Sequence, residues 1–235
     1  MEEYIPPEIV KHIASYSSIP RLSRVNKSLH NIENDLLQER EEHLLKKYKN
    51  PDNAAEGNDW DSVRFMVQYG VGEYNPNLIA NIAAYSGNRG IIQLMLDKEA
   101  YLYSYIASGA ARGGYRGIIQ WMIDIGGSDY DMIAEVAALG GHKDIVEWMI
   151  RLGAHNYNHI AEGAATSGHK DIILWMICLG ARDYNHIARG AANGGYKDII
   201  QWMLDLGAND YNSISVYARL SGYKDLAEWI LSHNI

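Results

Sequence analysis

Short amphipathic helices account for the order of apolar and polar residues along most of this chain. Near residue 150, four apolar residues recur at i, i+3, i+4 and i+7, which is one face of a helix: Ile145, Trp148, Met149 and Leu152. Asp144 near the beginning of this segment and Gly153 just after it are typical start and stop signals. The pattern therefore predicts a short helix that ends at Gly153.

A second type of helix, with small apolar residues, is predicted before each of these. One example contains Ile160, Ala161, Ala164 and Ala165, which would let a neighbouring helix lie close. We expect Gly168 to form the turn between the two helices. The expected capping residues of this helix type are Asn158 and, in the same place, Asp131, Asn185 and Asn212. Glycine inside such a helix costs about 1 kcal/mol relative to alanine. We therefore expect a close backbone approach, to a neighbour or a partner, at Gly109, Gly163 and Gly190.

The helix pair is repeated along the chain at intervals of 27 residues. Three columns show the interval: Trp121, Trp148, Trp175, Trp202 and Trp229; Tyr103, Tyr130, Tyr157, Tyr184 and Tyr211; Gly126, Gly153, Gly180 and Gly207. Weaker copies lie upstream, where Leu94 and Phe65 take the tryptophan place and the unit beginning at Tyr74 carries two extra residues, Pro76 and Asn77. Such a pair cannot bury its apolar face alone, so copies must stack. We predict an all-α solenoid of helix–turn–helix repeats over residues 49–235, with about seven units, the first degenerate and the last a cap.

The core of the repeat, A-A-x-x-G-H-x-D-I-I-x-x-M-I-x-x-G-A, is similar to the ankyrin repeat. The matching positions in one unit are Ala164, Ala165, Gly168, His169, Ile172, Ile173, Met176, Gly180 and Ala181. The period is shorter than the 33 residues of ankyrin repeats, and the Thr-Pro-Leu-His signature is absent. The resemblance implies that the ankyrin β-hairpin fingers are reduced to turns near Asp129, Asn156, Asp183 and Asp210. Similar short repeats, rich in Tyr and Trp, occur in ankyrin-like families of large DNA viruses.

Residues 1–48 lie outside the period and are predicted to form a separate small helical unit. Pro6 and Pro7 suit a helix start, and Ile9, Ile13 and Tyr16 are spaced for one face. Pro20 is predicted to open a second short helix, with Leu22 and Val25 facing inward. A third helix is predicted through Leu29, Ile32, Leu36 and Leu37 into the solvated charged run 38–47.

This N-terminal pattern is similar to an F-box. The matching positions are Ile5, Pro6, Glu8, Ile9, Ile13, Tyr16, Leu22, Val25, Asn26 and Leu29. The resemblance implies that seven of them bind the adaptor subunit of an SCF-type cullin–RING ubiquitin ligase: Ile5, Pro6, Glu8, Ile9, Ile13, Leu22 and Val25. The alternative is a helical cap that covers the first repeat.

Charge and composition restrict the class of partner. The formal net charge of −8 argues against a general binder of nucleic-acid phosphates, which would need clustered Lys and Arg. The single cysteine, Cys178, excludes an internal disulfide and favours an intracellular location, cytoplasmic or nuclear, in a host cell if the protein is viral. We expect no secretory signal and no contact with a membrane, because the N-terminus lacks a signal pattern and no apolar run is long enough to span one.

Several residue groups resemble catalytic or metal-binding motifs, but the repeat explains them better. His142 and His169 share a position that Tyr occupies in other units, and no Cys pair or HExxH accompanies His155 and His159, so we expect no metal site. The Gly-Gly pairs lack the ending of a phosphate-binding loop, and Cys178 has no visible base. The Trp column is predicted to be core rather than a base-stacking stripe. We therefore expect neither enzyme activity nor a cofactor.

Variable positions on the first helix of each repeat are the predicted partner-binding surface. They form three columns: Ser108, Glu135, Glu162, Arg189 and Val216; Arg112, Leu139, Thr166, Asn193 and Leu220; Tyr105, Met132, His159, His186 and Ser213. By resemblance to ankyrin proteins, the first helices would line the concave face. The alternative is that the variation reflects only solvent exposure.

Three functions are compatible with this organisation. The leading hypothesis is a substrate receptor that links an unidentified target protein to a ubiquitin ligase by proximity, without chemistry of its own. The second is a repeat scaffold or structural viral protein with no link to ubiquitin. The third is an enzyme inhibitor.

Overall fold

The structure is a computed structural model that describes residues 22–233, the side chains of residues 22–29 and 31 excepted. Within these residues every regular element is an α-helix, and no strand occurs. The chain divides into two compact units, the first ending at Tyr74 and the second beginning at Asn75. The predicted all-α repeat architecture is confirmed.

The first unit contains helices α1 (Leu22–Tyr48), α2 (Pro51–Glu56) and α3 (Trp60–Tyr69). The separate second and third helices predicted for the N-terminal segment are wrong, because α1 is continuous from Leu22 onward. No Pro or Gly occurs between Leu22 and Tyr48, so nothing in this segment breaks the helix.

The C-terminal part of α1 is anchored to α2 and α3. Leu44 is buried, and the guanidinium of Arg40 lies 4.4 Å from the ring centroid of Phe65 on α3. The hydroxyl of Tyr48 donates a 2.7 Å hydrogen bond to Asp59, which caps α3 by accepting the backbone N–H of Ser62. Nearer the N-terminus of α1, Ile32 and Leu36 are exposed.

As far as residue 233, the second unit is a stack of six helix pairs. The pairs are α4 (Pro76–Tyr85) and α5 (Arg89–Leu96); α6 (Tyr103–Gly113) and α7 (Arg116–Asp124); α8 (Tyr130–Leu139) and α9 (Lys143–Leu152); α10 (Tyr157–Thr166) and α11 (Lys170–Leu179); α12 (Tyr184–Gly194) and α13 (Lys197–Asp205); α14 (Tyr211–Leu220) and α15 (Lys224–Leu231). Each first helix packs against the first helices of its neighbours, and each second helix packs against its own first helix. The small first-helix residues therefore form the inner contact of the stack.

The core consists of the Ala and Ile residues of the first helices and the Ile and Met residues of the second. Ala164, Ala165, Ile172 and Met176 are at most 1% exposed. The tryptophans differ from the prediction of a core column, because Trp175 and its equivalents are only half-buried. Leu152, also predicted to face the core, is 41% exposed.

Glycine in the left-handed region makes the turns that the sequence predicts. Gly168 has φ +81° between α10 and α11, and Gly153 has φ +119° at the end of α9. The connection 153–156 then leads directly into α10, in agreement with a finger reduced to a turn. The predicted register of the weaker upstream unit is wrong, because α4 begins at Pro76 and Asn77 takes the place of Asn158.

A polar side chain near the start of each first helix except α14 accepts backbone N–H groups of the following repeat. In α10, the side-chain oxygen of Asn158 accepts the N–H groups of Arg182 at 2.9 Å and Asp183 at 3.0 Å. The same pair of bonds recurs at Asn77, Ser104, Asp131 and Asn185. The expected capping role of Asn158 is therefore wrong, since Asn156 caps α10 and Asn158 joins two repeats.

Candidate functional site

The three variable columns lie on adjacent first helices, and we call the surface they form the first-helix face. Four of the predicted binding residues are exposed: Tyr105, Arg112, His159 and Asn193. Seven are half-buried: Met132, Glu135, Leu139, Glu162, Thr166, His186 and Arg189. Ser108 differs, because it is 4% exposed and its hydroxyl donates to the carbonyl of Tyr105. Ser108 thus supports its own helix and presents no surface to a partner.

Side chains of successive first helices touch one another across this face. The guanidinium of Arg112 on α6 lies 5.6 Å from the ring centroid of Tyr85 on α4. The hydroxyl of Ser221, just after α14, donates a 2.5 Å hydrogen bond to Asn193 on α12. The first-helix face is therefore one laterally connected surface rather than a set of isolated ridges.

Glycine inside the first helices sets how closely the helices approach. A Cβ at Gly163 of α10 would lie 2.5 Å from the carbonyl oxygen of Glu135 on α8. A Cβ at Gly190 of α12 would lie 2.5 Å from the carbonyl oxygen of Glu162 on α10. The close backbone approach expected from these glycines is confirmed, and it is to a neighbouring repeat. It also brings each glutamate beside the next first helix.

Two histidines and two glutamates meet where these helices approach, and we call them the His/Glu cluster: Glu135, His159, Glu162 and His186. Ligand atoms of Glu135, His159 and Glu162 all lie within 4.8 Å of one another. Nδ1 of His159 is 3.7 Å from Oε2 of Glu135, and Nε2 of His186 is 2.5 Å from Oε2 of Glu162. The two imidazole rings are 4.8 Å apart between centroids.

Partial burial controls the protonation of the cluster. Burial raises the pKa of Glu135, and the neighbouring His159 opposes that rise. Burial likewise raises the pKa of Glu162, with His159 and Arg189 opposing. Burial lowers the pKa of His186, as do the nearby Arg189 and His159.

The sequence contains the four residues but does not show that they lie next to one another. By sequence they belong to two separate columns of variable positions, where no metal site is predicted. The signal in the sequence is the His-x-x-Glu pair formed by His159 and Glu162. Glu135 occupies the position of Glu162 one repeat earlier, and His186 occupies the position of His159 one repeat later. Spacing within one repeat cannot show that residues 24 positions apart, such as Glu135 and His159, are in contact.

The second helices present a more uniform surface. A cation from the preceding repeat lies over a tryptophan ring, as with Arg116 over Trp148 at 4.6 Å and Lys197 over Trp229 at 4.4 Å. Lys170 instead lies 2.5 Å from Asp198 of the next repeat. Because the same chemistry recurs from unit to unit, this surface is suited to holding the stack together.

The alternation of His and Tyr at one position has a packing explanation. A Cβ on Gly141 would lie 2.6 Å from the ring of His169, and a Cβ on Gly168 would lie 2.6 Å from the ring of Tyr196. Each flat ring therefore covers the glycine turn of the preceding repeat. Both side chains satisfy that requirement, which explains why they replace each other.

The predicted adaptor-binding residues fall almost entirely outside the described part of the chain. Ile5, Pro6, Glu8, Ile9 and Ile13 lie there, and Leu22 and Val25 are described only as backbone positions of α1. Their role remains a prediction from the sequence.

Comparison with known proteins does not assign the chain to a family. No protein-family model matches it, and a search of curated proteins finds no matching sequence. Among residues 22–233, no helix combines the length and apolar character needed to span a membrane.

Proposed function

We propose that this chain is a protein-recognition module that binds a target through the first-helix face and presents it to a ubiquitin ligase through the N-terminal segment. The observation that carries the recognition role is the contrast between the two surfaces of the stack. The second helices repeat a cation and Trp pattern, whereas the three variable columns of the first-helix face differ in charge and size along the stack.

The contacts between neighbouring first helices support this role. Arg112 is held against Tyr85, and Asn193 is held by Ser221, so these side chains are restrained before a partner arrives. Restrained side chains lose less conformational entropy on binding than free ones. The face also combines exposed apolar residues, such as Leu220 at 80%, with charged and polar neighbours. Such a mixture is typical of a protein interface.

The link to a ubiquitin ligase depends on the F-box resemblance of residues 1–48. In that proposal the chain performs no chemistry, and the ligase modifies whatever the first-helix face holds nearby. Its place of action would be the cytoplasm or nucleus, where such ligases work. The competing function is a repeat scaffold that binds a partner without any ligase.

Calorimetry with a purified SCF adaptor tests the ligase link. The full chain is compared with a chain of residues 22–235, which retains every described helix but lacks Ile5, Pro6, Glu8, Ile9 and Ile13. Binding by the full chain and none by the shorter chain is the expected result. No binding by a correctly folded full chain would eliminate the ligase link and leave the scaffold.

Two exposed leucines provide a matched test of the recognition surface. Leu220 lies on the first-helix face and is 80% exposed, whereas Leu174 lies on the second helix α11 and is 53% exposed. Partner proteins are captured by chemical cross-linking to each chain. Those captured by the wild-type chain should be lost with Leu220→Lys or Arg112→Glu and retained with Leu174→Lys. Equal capture by all four chains would rule out this face as the binding surface.

A further inference from the structure

The His/Glu cluster has the donor set of a divalent transition-metal site. We propose that Glu135, His159, Glu162 and His186 bind one Zn²⁺ or a similar first-row divalent ion. The ion would join α8, α10 and α12, which belong to three successive repeats. This inference goes beyond the proposed function, since it needs neither a protein target nor a ligase.

The spacing of the ligand atoms fits such an ion. Four ligands at zinc distances of about 2.1 Å in a tetrahedron lie roughly 3.4 Å from one another. The measured separations lie on both sides of that value, with 2.5 Å between His186 and Glu162 and 3.7 Å between His159 and Glu135. Ligand atoms of Glu135, His159 and Glu162 lie within 4.8 Å of one another, and His186 adjoins this set through its contact with Glu162. Side-chain rotations would bring the four donors onto one ion.

The chemistry of the donors selects the class of metal. Two imidazole nitrogens with two carboxylates suit Zn²⁺ and neighbouring divalent ions, whereas Ca²⁺ and Mg²⁺ prefer sites made of oxygen alone. The cluster lacks a thiolate, which the soft ion Cu⁺ would prefer.

The carboxylate of Asp183 lies just beyond hydrogen-bond distance of one histidine. Its Oδ2 lies 3.8 Å from Nδ1 of His186, on the side of the ring opposite Glu162. Metal-binding histidines usually donate their second N–H to a carboxylate, which fixes the tautomer and orients the ring. The same Asp183 caps α12 by accepting the backbone N–H of His186, so its own position is fixed by the helix start.

The cluster is only partly buried, so an ion can reach it. The same partial burial makes its carboxylate charges unfavourable without a cation. The side chains of His186 and Glu162 are 21% and 22% exposed, whereas those of His159 and Glu135 are 46% and 37% exposed. The inner pair is shielded from water and the outer pair leaves a path for entry. Two partly buried carboxylates side by side are unfavourable alone, and a divalent cation would offset their charge.

Calorimetric titration of the full chain with Zn²⁺ tests the site directly. We expect one ion per chain, and a weakening of at least tenfold in His159→Asn and in His186→Asn. His155→Asn is the control, because His155 is exposed and its Nδ1 lies 3.4 Å from Asp131 in a similar His–carboxylate pair outside the cluster. It should bind as the wild type does.

Thermal unfolding gives a second readout that does not depend on calorimetry. Zn²⁺ should raise the Tm of the wild type and of His155→Asn, and a chelator should reverse the rise, because an ion held only by the folded stack stabilises it. His159→Asn and His186→Asn should keep the metal-free Tm when Zn²⁺ is added. Equal Zn²⁺ affinity in wild type and His159→Asn, or no stoichiometric binding by the folded wild type, would overturn the proposal.

Discussion

The side chain of Asn158 in one repeat accepts the backbone N–H of Asp183 in the next at 3.0 Å. The same oxygen accepts the N–H of Arg182 at 2.9 Å, so one side chain satisfies two backbone donors across the repeat boundary. Helix-capping residues usually satisfy donors of their own helix. Here the polar residue instead fixes the position of the following helix start.

Asn158→Ala should lower the free energy of unfolding by about 1–3 kcal/mol, because two backbone donors lose their acceptor. Asn212→Ala is the control, since Asn212 holds the same place in α14 and within the described residues its side chain makes no such bond. Chemical denaturation measures both. A cost for Asn158→Ala no larger than that for Asn212→Ala would contradict the role assigned to the bond.

Gly163→Ala should destabilise the stack by about 1–3 kcal/mol, although alanine favours helices more than glycine does. The new Cβ would lie 2.5 Å from the carbonyl oxygen of Glu135, and α10 would have to move away from α8. Gly117→Ala in α7 is the matched substitution, because a Cβ there meets nothing within 4 Å. Its expected effect has the opposite sign, a gain of roughly 0.5–1 kcal/mol. If Gly163→Ala stabilised the protein as Gly117→Ala does, the close approach of α10 to α8 would not be required for stability.

Three consecutive residues of α11 separate core from surface. Met176 is fully buried, Trp175 is half-buried and Leu174 is 53% exposed. We expect Met176→Ala to cost about 2–5 kcal/mol, Trp175→Ala roughly 1–2 kcal/mol and Leu174→Ala less than about 0.5 kcal/mol. Urea denaturation of the three variants measures the order. A cost for Trp175→Ala above that for Met176→Ala would restore the tryptophan column to the core.

Asp59 should make the stability of the first unit depend on acid pH. The hydrogen bond from Tyr48 lowers the pKa of this carboxyl below its ordinary value of 3.8, and the bond from Ser62 and the charge of Lys47 act in the same direction. A lowered folded-state pKa adds stability that is complete above the unfolded-state pKa and is lost as pH falls through the folded-state pKa.

Tyr48→Phe should therefore cost about 1 kcal/mol at pH 7 and progressively less as the pH falls below about 4. Tyr69→Phe is the control, because Tyr69 is 46% exposed and its hydroxyl makes no hydrogen bond within the described residues. Denaturation of each variant at a series of pH values gives the comparison. A cost for Tyr48→Phe that stays constant down to pH 3 would mean that the ionised carboxylate is not the important acceptor.

Much of the fold follows from local patterns. The apolar spacing of α9, the glycine at residue 153 and the small residues of α10 each specify a feature within one helix or one turn, where short-range geometry decides the outcome. The same reasoning failed for α1, where two separate helices were expected and a single helix runs from Leu22 to Tyr48. It also failed for Leu152, which fits the apolar face by spacing yet is 41% exposed.

The sequence by itself determined that two short helices alternate every 27 residues, and that such pairs must stack to bury their apolar faces. It also identified the variable columns. Only the tertiary structure decided that Asn158 bonds across repeats, that Trp175 is half-buried, and that Glu135 and His159 meet. These relationships depend on how far one helix is offset against the next. That offset is set by contacts such as Gly163 against the backbone of Glu135, which spacing within a single repeat does not encode.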